Sequence, residues 1–528
     1  MTAIDSSHSA TSSSGSIATR STLLGTIAAY LTASDHKRIG RLLISISAIF
    51  AIATAIEGAI LGIERISPSS SIVDADIIVQ LFSALRFDLI FSVAAPMMLG
   101  LAVAVVPMQV GARALAFARS AMFGFYLWLF GVILVGTSYL NNGGPGGGNA
   151  EMVDLFLIGL GLVIAGLLLV STSVATTVLA SRRAGMTLIE TPIFSWSALV
   201  ASVSMLLTLP VVAGAIIFVA VDHAYERATF GATEGVNAWI GWAFTTPQIF
   251  IVAIPTLGVL AQIVATMTRG KQPLRAGLLV GVGLMSTAVI GAVTQSSHTV
   301  SFSGSASDVL KSLIPYLFFN HLSILGVFIV LGLSLLALKN ERAKLNAAFV
   351  PAFLGVGMVL TGMIGGAIFK ITNLKLVNTV FEEAVLVYVC YGVVLSGIGA
   401  VAYFGPRIWG REIPSAPVLG LGLLGFLATV LASLPYFIAG FADQPASIAN
   451  NFDYSGPIWL WNSLVGAGHA LMALVVLSSF AIAAKSFRSG TISSATSADL
   501  FENVNGSIDM NTSATALGAG PTVVMRRP

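Results

Sequence analysis

The chain has 528 residues, of which 56% are hydrophobic and only 9% charged, with a formal net charge of +3. Soluble domains carry roughly 25% charged residues, so this composition excludes an ordinary water-soluble fold. The basic residues lie in short loops between apolar runs, which excludes a nucleic-acid surface. The single cysteine, Cys390, lies inside an apolar run and excludes an intrachain disulfide.

Both ends of the chain differ in composition from its middle. Residues 1–29 open on a Ser- and Thr-rich stretch without the basic start and apolar core of a signal peptide, which predicts a flexible tail. The polar residues 486–528 predict a second flexible tail. Residues 30–485 are expected to form a single membrane domain.

The apolar runs of the middle region are long enough to cross a bilayer. A spanning helix needs roughly 20 predominantly apolar residues. The sequence therefore predicts an all-α, polytopic membrane protein with about twelve transmembrane helices. The predicted spans are residues 42–64, 78–107, 120–139, 152–180, 194–221, 236–267, 274–294, 309–338, 347–370, 380–404, 417–441 and 457–484.

The basic residues alternate between successive loops. Lys37, Arg38 and Arg41 precede the first predicted span, and Lys485 follows the last, whereas the loop at 141–149 has no base and is rich in Gly and Asn. Basic loops stay on the cytoplasmic side of a membrane. The pattern predicts that both termini are cytoplasmic, in the lipid of a bacterial or archaeal cell (inner) membrane.

Four segments that flank the spans carry a family resemblance. They are YLTASDHKRIGRL (30–42), PMQVGARALAFAR (107–119), RAGMTLIETPIFSWS (183–197) and YFGPRIWGR (403–411). Their order and spacing resemble those of heme–copper oxidase subunit I, the catalytic subunit of cytochrome c and quinol oxidases. The resemblance implies the fold of that family. In the family, this fold binds two hemes and a copper through six histidines, reduces dioxygen and pumps protons.

The resemblance places the low-spin heme positions of the family on residues without ligand chemistry. The heme histidine of the second span falls on Leu85, and the two heme histidines of the tenth span fall on Ala384 and Leu386. The paired arginines that neutralise the heme propionates fall on Ala446 and Ser447. Leucine and alanine cannot ligate iron. This part of the resemblance therefore predicts a chain without the low-spin heme.

The oxygen-reducing centre of the family falls on polar residues. Its His-Pro-Glu-Val-Tyr motif aligns with TPQIF (246–250), and its histidine pair in the seventh span aligns with Gln295 and Ser296. Gln, Ser and Thr are poor substitutes for imidazole at iron or copper. Thr246, Gln248, Gln295 and Ser296 are candidates for a residual polar pocket. The alternative is that they only form hydrogen bonds with neighbouring helices.

Four charged residues lie in spans next to the positions where the resemblance places the low-spin heme histidines of the family. Arg86 and Asp88 follow Leu85, and Glu382 and Glu383 precede Leu386. The resemblance implies that the two groups face each other, so an ion pair of Arg86 with Glu382 or Glu383 is expected. One interpretation is structural, with the charges locking helices together, and the other is a site for a small ion or substrate.

The remaining polar residues in the spans are weaker candidates. Glu57 lies inside the first predicted span, whereas Asp154 and Asp308 stand near span starts as helix caps or interface residues. His321 and His469 lie inside spans without a second histidine three or four positions away, so packing roles are favoured over metal binding.

Two functions remain open. The first is a membrane protein that resembles cytochrome c oxidase subunit I but carries neither heme nor copper, with no catalytic or metal-binding residues. It would act as a non-oxidase subunit or scaffold of a membrane complex, or as a path for a small ion or substrate. The alternative is a divergent terminal oxidase with heme and copper. The resemblance implies partner subunits like subunit II and subunit III in either case.

Overall fold

The computed structural model describes residues 34–67, 73–145, 147–227, 248–268, 274–294, 298–341, 346–446, 448 and 456–493. These residues belong to one compact unit that begins at Ser34. The predicted N-terminal tail and residues 494–528 lie outside the described residues. The last helix continues to Ser489, four residues past the predicted domain boundary.

Helices occupy all twelve predicted spans, and in this order they are called the first to the twelfth span. Three spans consist of two or more consecutive helical pieces. The bounds are His36–Glu64; Ala75–Phe87, Asp88–Ala94 and Ala95–Val110; Ala118–Leu140; Ala150–Ala180; Ile193–Ala224; Gln248–Met267; Arg275–Met285 and Ala288–Thr294; Ala306–Tyr316, Leu317–His321 and Leu322–Glu341; Phe349–Phe369; Phe381–Trp409; Ser415–Phe441; and Ile458–Ser489.

The described residues confirm an all-α polytopic membrane fold. Eleven of their helical segments are long and apolar enough to cross a membrane. The seventh span is shorter because its helix breaks at Ser286 and Thr287, whose hydroxyls bond the carbonyls of Gly283 and Leu284. The predicted start of the sixth span, at residue 236, lies outside the described residues.

Three spans form the centre of the bundle. In the second, sixth and tenth spans, 100%, 94% and 89% of the most apolar stretch is buried, against 56% or less in the other long spans. A helix that is apolar on all sides belongs inside a bundle, whereas a ring helix exposes one apolar face to lipid. The second and tenth spans therefore bring their side chains into the protein interior.

The second span contains a π-helical turn at Asp88–Ala94. Pro96 follows it and has no backbone N–H, so a regular α-helix would lose one hydrogen bond here and clash with the preceding turn. The indole N–H of Trp128 supplies a donor to the carbonyl of Phe91, at 2.8 Å. The wider turn begins at Asp88 and so fixes where this carboxylate enters the bundle.

The two ends of the bundle differ in their loops. The end where odd-numbered spans finish and even-numbered spans begin is called the base-poor end. It carries the loop at 141–149, whereas the opposite end carries the basic loops.

Candidate functional site

A buried ion pair joins the first and tenth spans at the base-poor end. Nη1 of Arg65 lies 3.3 Å from Oε2 of Glu383, and the two side chains are 0% and 4% exposed. The Arg65 guanidinium also donates to the hydroxyl of Tyr436 at 3.1 Å and stacks 3.9 Å above the ring centre of Phe82. A charge taken out of water needs an opposite charge and further polar contacts. Arg65 has both.

A second ion pair joins the second and tenth spans. Nη2 of Arg86 lies 3.4 Å from Oε2 of Glu382, and these side chains are 24% and 21% exposed. The structure thus brings Arg86 and Glu382 together, while the neighbouring Glu383 turns to Arg65 instead. Two consecutive glutamates therefore connect the tenth span to two different helices.

The residues aligned with the low-spin heme histidines are apolar and enclosed. Leu85, Ala384 and Leu386 are all buried. Phe82, which contacts Arg65, lies three residues before Leu85, and Glu383 lies three residues before Leu386. The buried ion pair consequently lies about one helical turn from Leu85 and Leu386, or about 4.5 Å along each helix at 1.5 Å per residue, and Ala384 directly follows its glutamate.

Arg65 also reaches the loop that aligns with the propionate arginines of the family. Its Nε donates to the carbonyl of Ile448 at 3.2 Å, and Nη2 donates to the carbonyl of Pro445 at 3.4 Å. Ala446 lies between them, and Ser447 lies outside the described residues. A guanidinium from the first span therefore occupies the edge of this loop.

Asp88 is not part of either ion pair. It accepts a hydrogen bond from the hydroxyl of Ser92 within the π-helical turn. It acts electrostatically on Glu57 of the first span. The Oε2 atom of Glu57 is enclosed without a hydrogen-bond partner. The four-residue cluster predicted from the sequence thus divides into an ion pair, a glutamate held by Arg65, and a carboxylate beside Glu57.

Three histidines, His298, His321 and His469, contact aromatic rings. Nδ1 of His469 lies 2.5 Å from the hydroxyl of Tyr391, and the His321 ring lies 5.1 Å from that of Tyr316. His298 stacks on Phe319 with ring centres 3.7 Å apart. In the part of the chain that the structure describes, no three His, Cys, Asp or Glu residues group closely enough to hold a metal ion.

Two basic side chains lie between spans at the base-poor end. Burial lowers the pKa of Lys370, and burial followed by the nearby Lys370 charge lowers the pKa of His298. Desolvation disfavours the charged forms of both residue types. His298 is therefore biased toward the neutral imidazole that stacks on Phe319.

Several weaker candidates take other roles. The fourth span is capped by Asn149 and the eighth by Ser305, so neither Asp154 nor Asp308 is a helix cap. Asp154 instead lies 3.7 Å from Nε2 of His223 as an interface residue, and Asp308 accepts a hydrogen bond from Ser305. Asn149 and Ser305 directly precede their helices and so reach the free amides of the first turn, whereas Asp154 and Asp308 lie within the helices.

The predicted residual pocket falls largely outside the described residues. Thr246, Gln295 and Ser296 are not among them, and Gln248 begins the helix of the sixth span. The pocket stays a prediction.

Sequence reasoning missed Arg65. It follows directly after the first span, where charged residues usually lie at the membrane interface. Its neighbour Glu64 is also buried, at 3% exposure. Glu64 and Arg65 are an acid and a base side by side at the end of an apolar run, and this pattern could have indicated a charged residue inside the bundle. The identity of the partner, 318 positions away, had no local signal.

The sequence matches a known protein family over most of its length. Residues 38–477 match the family described as "Cytochrome C and Quinol oxidase polypeptide I". The matched region has the all-α membrane fold described above, so the chain belongs to that family.

Bacterial relatives are similar over most of their length. The "Probable cytochrome c oxidase subunit 1-beta" of Nocardia farcinica is 26% identical over 88% of this chain and 80% of its own length. The "Putative cytochrome c oxidase subunit 1-beta" of Streptomyces avermitilis is 26% identical over 73% of this chain and 70% of its own. The "Cytochrome c oxidase subunit 1" of Bacillus subtilis is 25% identical over 78% and 68%. The chain is thus a multi-pass membrane protein with bacterial relatives.

The family implies heme, and the donor set at the low-spin positions does not fit one. Iron in a low-spin heme needs a donor side chain on each face, such as the imidazole of histidine. Leu85, Ala384 and Leu386 offer only hydrocarbon, and all three are enclosed. The charged groups Arg65 and Glu383 near these positions are bonded to each other. The residues that the resemblance places at the low-spin heme positions therefore contribute apolar packing and no donor atom for iron.

Proposed function

We propose that this chain is a heme-free and copper-free member of its family, which serves as an integral subunit of a larger membrane complex. The observation that carries the proposal is the buried Arg65–Glu383 ion pair, which lies within about one helical turn of the apolar residues at the low-spin heme positions. In the proposed protein, paired charges and packed side chains connect the helices that heme connects in the family. The chain then has no oxidase activity of its own.

The proposed setting follows from the loops and from the relatives. Both termini are cytoplasmic in a bacterial cell membrane, since the basic loops lie on the side of the termini. The helix faces exposed to lipid also offer surfaces for other membrane subunits, in the positions of subunit II and subunit III. Co-purification of the tagged full-length chain from native membranes identifies these subunits.

The test of the proposal is a spectrum with a metal analysis. The detergent-purified protein is measured as a reduced-minus-oxidised visible spectrum, with iron and copper determined per chain. An authentic heme–copper oxidase made in the same host controls for the supply of cofactors. We expect no Soret band and no stoichiometric metal in the chain, with both present in the control.

A divergent terminal oxidase is the second candidate function. It is favoured by family membership and by the printed names of the relatives. A heme signal of about one or two per chain would refute the heme-free proposal and support this candidate. His298, His321 and His469 are then the first residues to replace, because loss of the signal would identify the ligand.

A further inference from the structure

Two basic side chains of the first span lie against the end of the tenth span. Nζ of Lys37 donates to the backbone carbonyl of Arg407 at 2.9 Å, and Nη2 of Arg41 donates to the next carbonyl, that of Ile408. Lys37 and Arg41 are four residues apart and so share one face of their helix. This face lies at the base-rich end of the bundle, opposite the base-poor end, where the tenth span finishes at Trp409.

Arg407 adds a third fixed charge to the same helix turn. Its Nη1 donates to the carbonyl of Tyr403 at 3.0 Å, and its guanidinium lies 5.1 Å from the centre of the Tyr403 ring. The C-terminal end of an α-helix carries about half a negative charge, which stabilises cations bonded to it. Half a charge does not balance three. The helix end therefore explains the positions of Lys37, Arg41 and Arg407 but leaves a net positive charge at this place.

The acid closest in sequence to these cations has other roles. Asp35 caps the first span by accepting a hydrogen bond from the backbone N–H of Lys37, and it lies 3.9 Å from Nε of Arg38. Among the residues that the structure describes, no Asp or Glu lies within ion-pair distance of the side chains of Lys37, Arg41 and Arg407. Their charge is therefore available to an anion from outside the chain.

The two guanidinium groups also retain hydrogen-bond donors without acceptors. Nε of Arg41 and Nε of Arg407 are enclosed and have no hydrogen-bond partner. Nη1 of Arg41 and Nη2 of Arg407 are not enclosed, and they have no acceptor in the described part of the chain. A desolvated charged donor that lacks an acceptor is costly. An anion that approaches the open Nη atoms would offset this cost for both groups.

Aromatic side chains place this cluster at the level of lipid headgroups. The Arg41 guanidinium lies 5.7 Å from the centre of the Trp409 ring, and Trp409 stacks on Phe487 of the twelfth span with ring centres 4.2 Å apart. Tryptophan is enriched at membrane–water interfaces. Further into the bilayer, the first and twelfth spans expose Ile49 and Leu477, each at 49%. Basic side chains at headgroup level thus lie above apolar helix faces that suit acyl chains.

We propose that Lys37, Arg41 and Arg407 form a binding site for the phosphate of an anionic phospholipid. The phosphate oxygens accept hydrogen bonds from Nη1 of Arg41 and Nη2 of Arg407, and the ammonium of Lys37 adds positive charge. Guanidinium groups match phosphate geometry, and basic pockets between transmembrane helices bind anionic headgroups. A soluble phosphate compound has the same oxygen chemistry, but the apolar helix faces beside the cluster favour the lipid.

Native mass spectrometry of the full-length protein tests the site. The protein in detergent micelles is titrated with phosphatidylglycerol or with phosphatidylcholine of the same acyl chains, and the lipid bound per chain is counted. We expect tighter binding of phosphatidylglycerol. Arg41→Gln and Arg407→Gln should each weaken it about tenfold or more, because each removes a charged donor to the phosphate.

Arg119→Gln is the matched control. Arg119 lies exposed in the first turn of the third span, at the same end of the bundle, and its replacement removes the same charge. We expect this variant to bind phosphatidylglycerol as the wild type does. Equal affinity of the wild type for the two lipids, or equal affinity of all three variants for phosphatidylglycerol, would overturn the proposal.

A footprint of Lys37 in the wild-type protein covers the case in which the arginine variants do not fold. The protein in nanodiscs of either lipid is treated with an amine-acylating reagent, and mass spectrometry of the digest gives the labelling rate of each lysine. Lys37 should react more slowly in phosphatidylglycerol than in phosphatidylcholine, relative to Lys485, which is exposed at the same end. The same relative rate in both membranes would overturn the proposal.

Inorganic phosphate distinguishes a lipid from a soluble phosphate compound. When inorganic phosphate is added to the phosphatidylcholine nanodiscs, we expect the labelling rate of Lys37 to stay unchanged. Protection equal to that given by phosphatidylglycerol would assign the site to a soluble phosphate compound and overturn the lipid assignment. None of these measurements depends on the metal content of the chain, so a failure here is separate from a failure of the heme-free proposal.

Discussion

Removal of the Arg65 charge is the sharpest perturbation of the buried ion pair. Arg65→Met keeps an unbranched apolar stem over Phe82 but leaves the Glu383 carboxylate buried without a counter-charge. Removing one partner of a buried pair costs about 3–5 kcal/mol. At about 1.4 kcal/mol for each factor of ten, the folded-to-unfolded ratio falls by about two to three and a half powers of ten.

The Arg86–Glu382 pair provides a matched control in the same helix layer. Its side chains are 24% and 21% exposed, so water can solvate a carboxylate that loses its partner. Pairs that reach solvent contribute about 1 kcal/mol or less. Arg86→Met should therefore destabilise the protein far less than Arg65→Met, although both replacements remove an arginine from a glutamate at 3.3–3.4 Å.

The stability of these variants can be measured with a cysteine that the protein already contains. Cys390 is the only cysteine, lies on the tenth span with Glu383 and is fully buried. A fluorogenic maleimide reacts with it only when the bundle opens, so a denaturing-detergent titration yields the free energy of unfolding. Adding Glu383→Gln to Arg65→Met should recover much of the loss. Equal losses for the two arginine variants, or no recovery in the double variant, would refute the assignment of a buried, mutually compensating pair.

Two further predictions concern the π-helical turn and the loop before the eighth span. Trp128→Phe should lower the free energy of unfolding by about 1–3 kcal/mol, because it removes the donor to the Phe91 carbonyl beside Pro96; the same Cys390 titration measures it, and an unchanged value would contradict that role. His298 has a lowered pKa in the folded state, so folding releases its proton and stability should fall as the pH decreases below the ordinary value of 6.5. His298→Phe should weaken this acid dependence in melting curves followed by tryptophan fluorescence, and an identical dependence in the variant would exclude His298 as a contributor.

The sequence predicted the membrane fold well because its signal is local. Each span is a long apolar run, and the requirement to satisfy every backbone amide in lipid leaves the helix as the only solution for such a run. The break in the seventh span was not predicted, because Ser286 and Thr287 are apolar enough in context to sit within a span. At the break, the backbone N–H groups of Ser286 and Thr287 bond the carbonyls three residues back, on Gly283 and Leu284, which is the pattern of a tight turn.

The candidate site was only partly predictable, because partners in a bundle are distant in sequence. The resemblance implied that Arg86 faces the tenth span, and the structure pairs it with Glu382. The resemblance did not predict the pair of Glu383 and Arg65, because Arg65 lies past the end of a span, where charged residues usually lie at the membrane interface. The choice between the two glutamates depends on side-chain directions around one helix, about 100° apart for neighbouring residues. The sequence does not show which of the two directions points to Arg65, because this depends on how the helices pack.

The π-helical turn at Asp88–Ala94 separates the second span into two halves whose rotations are set independently. Consecutive residues of an α-helix differ by about 100° around the axis, so one residue gained or lost in this turn would rotate one half relative to the other. Arg86 belongs to the half at the base-poor end, whereas Ala95–Val110 is buried on every side in the other half. The polar half can therefore change its orientation during evolution while the apolar half keeps its packing. An insertion or deletion in this turn would therefore move Arg86 while Ala95–Val110 stays in place.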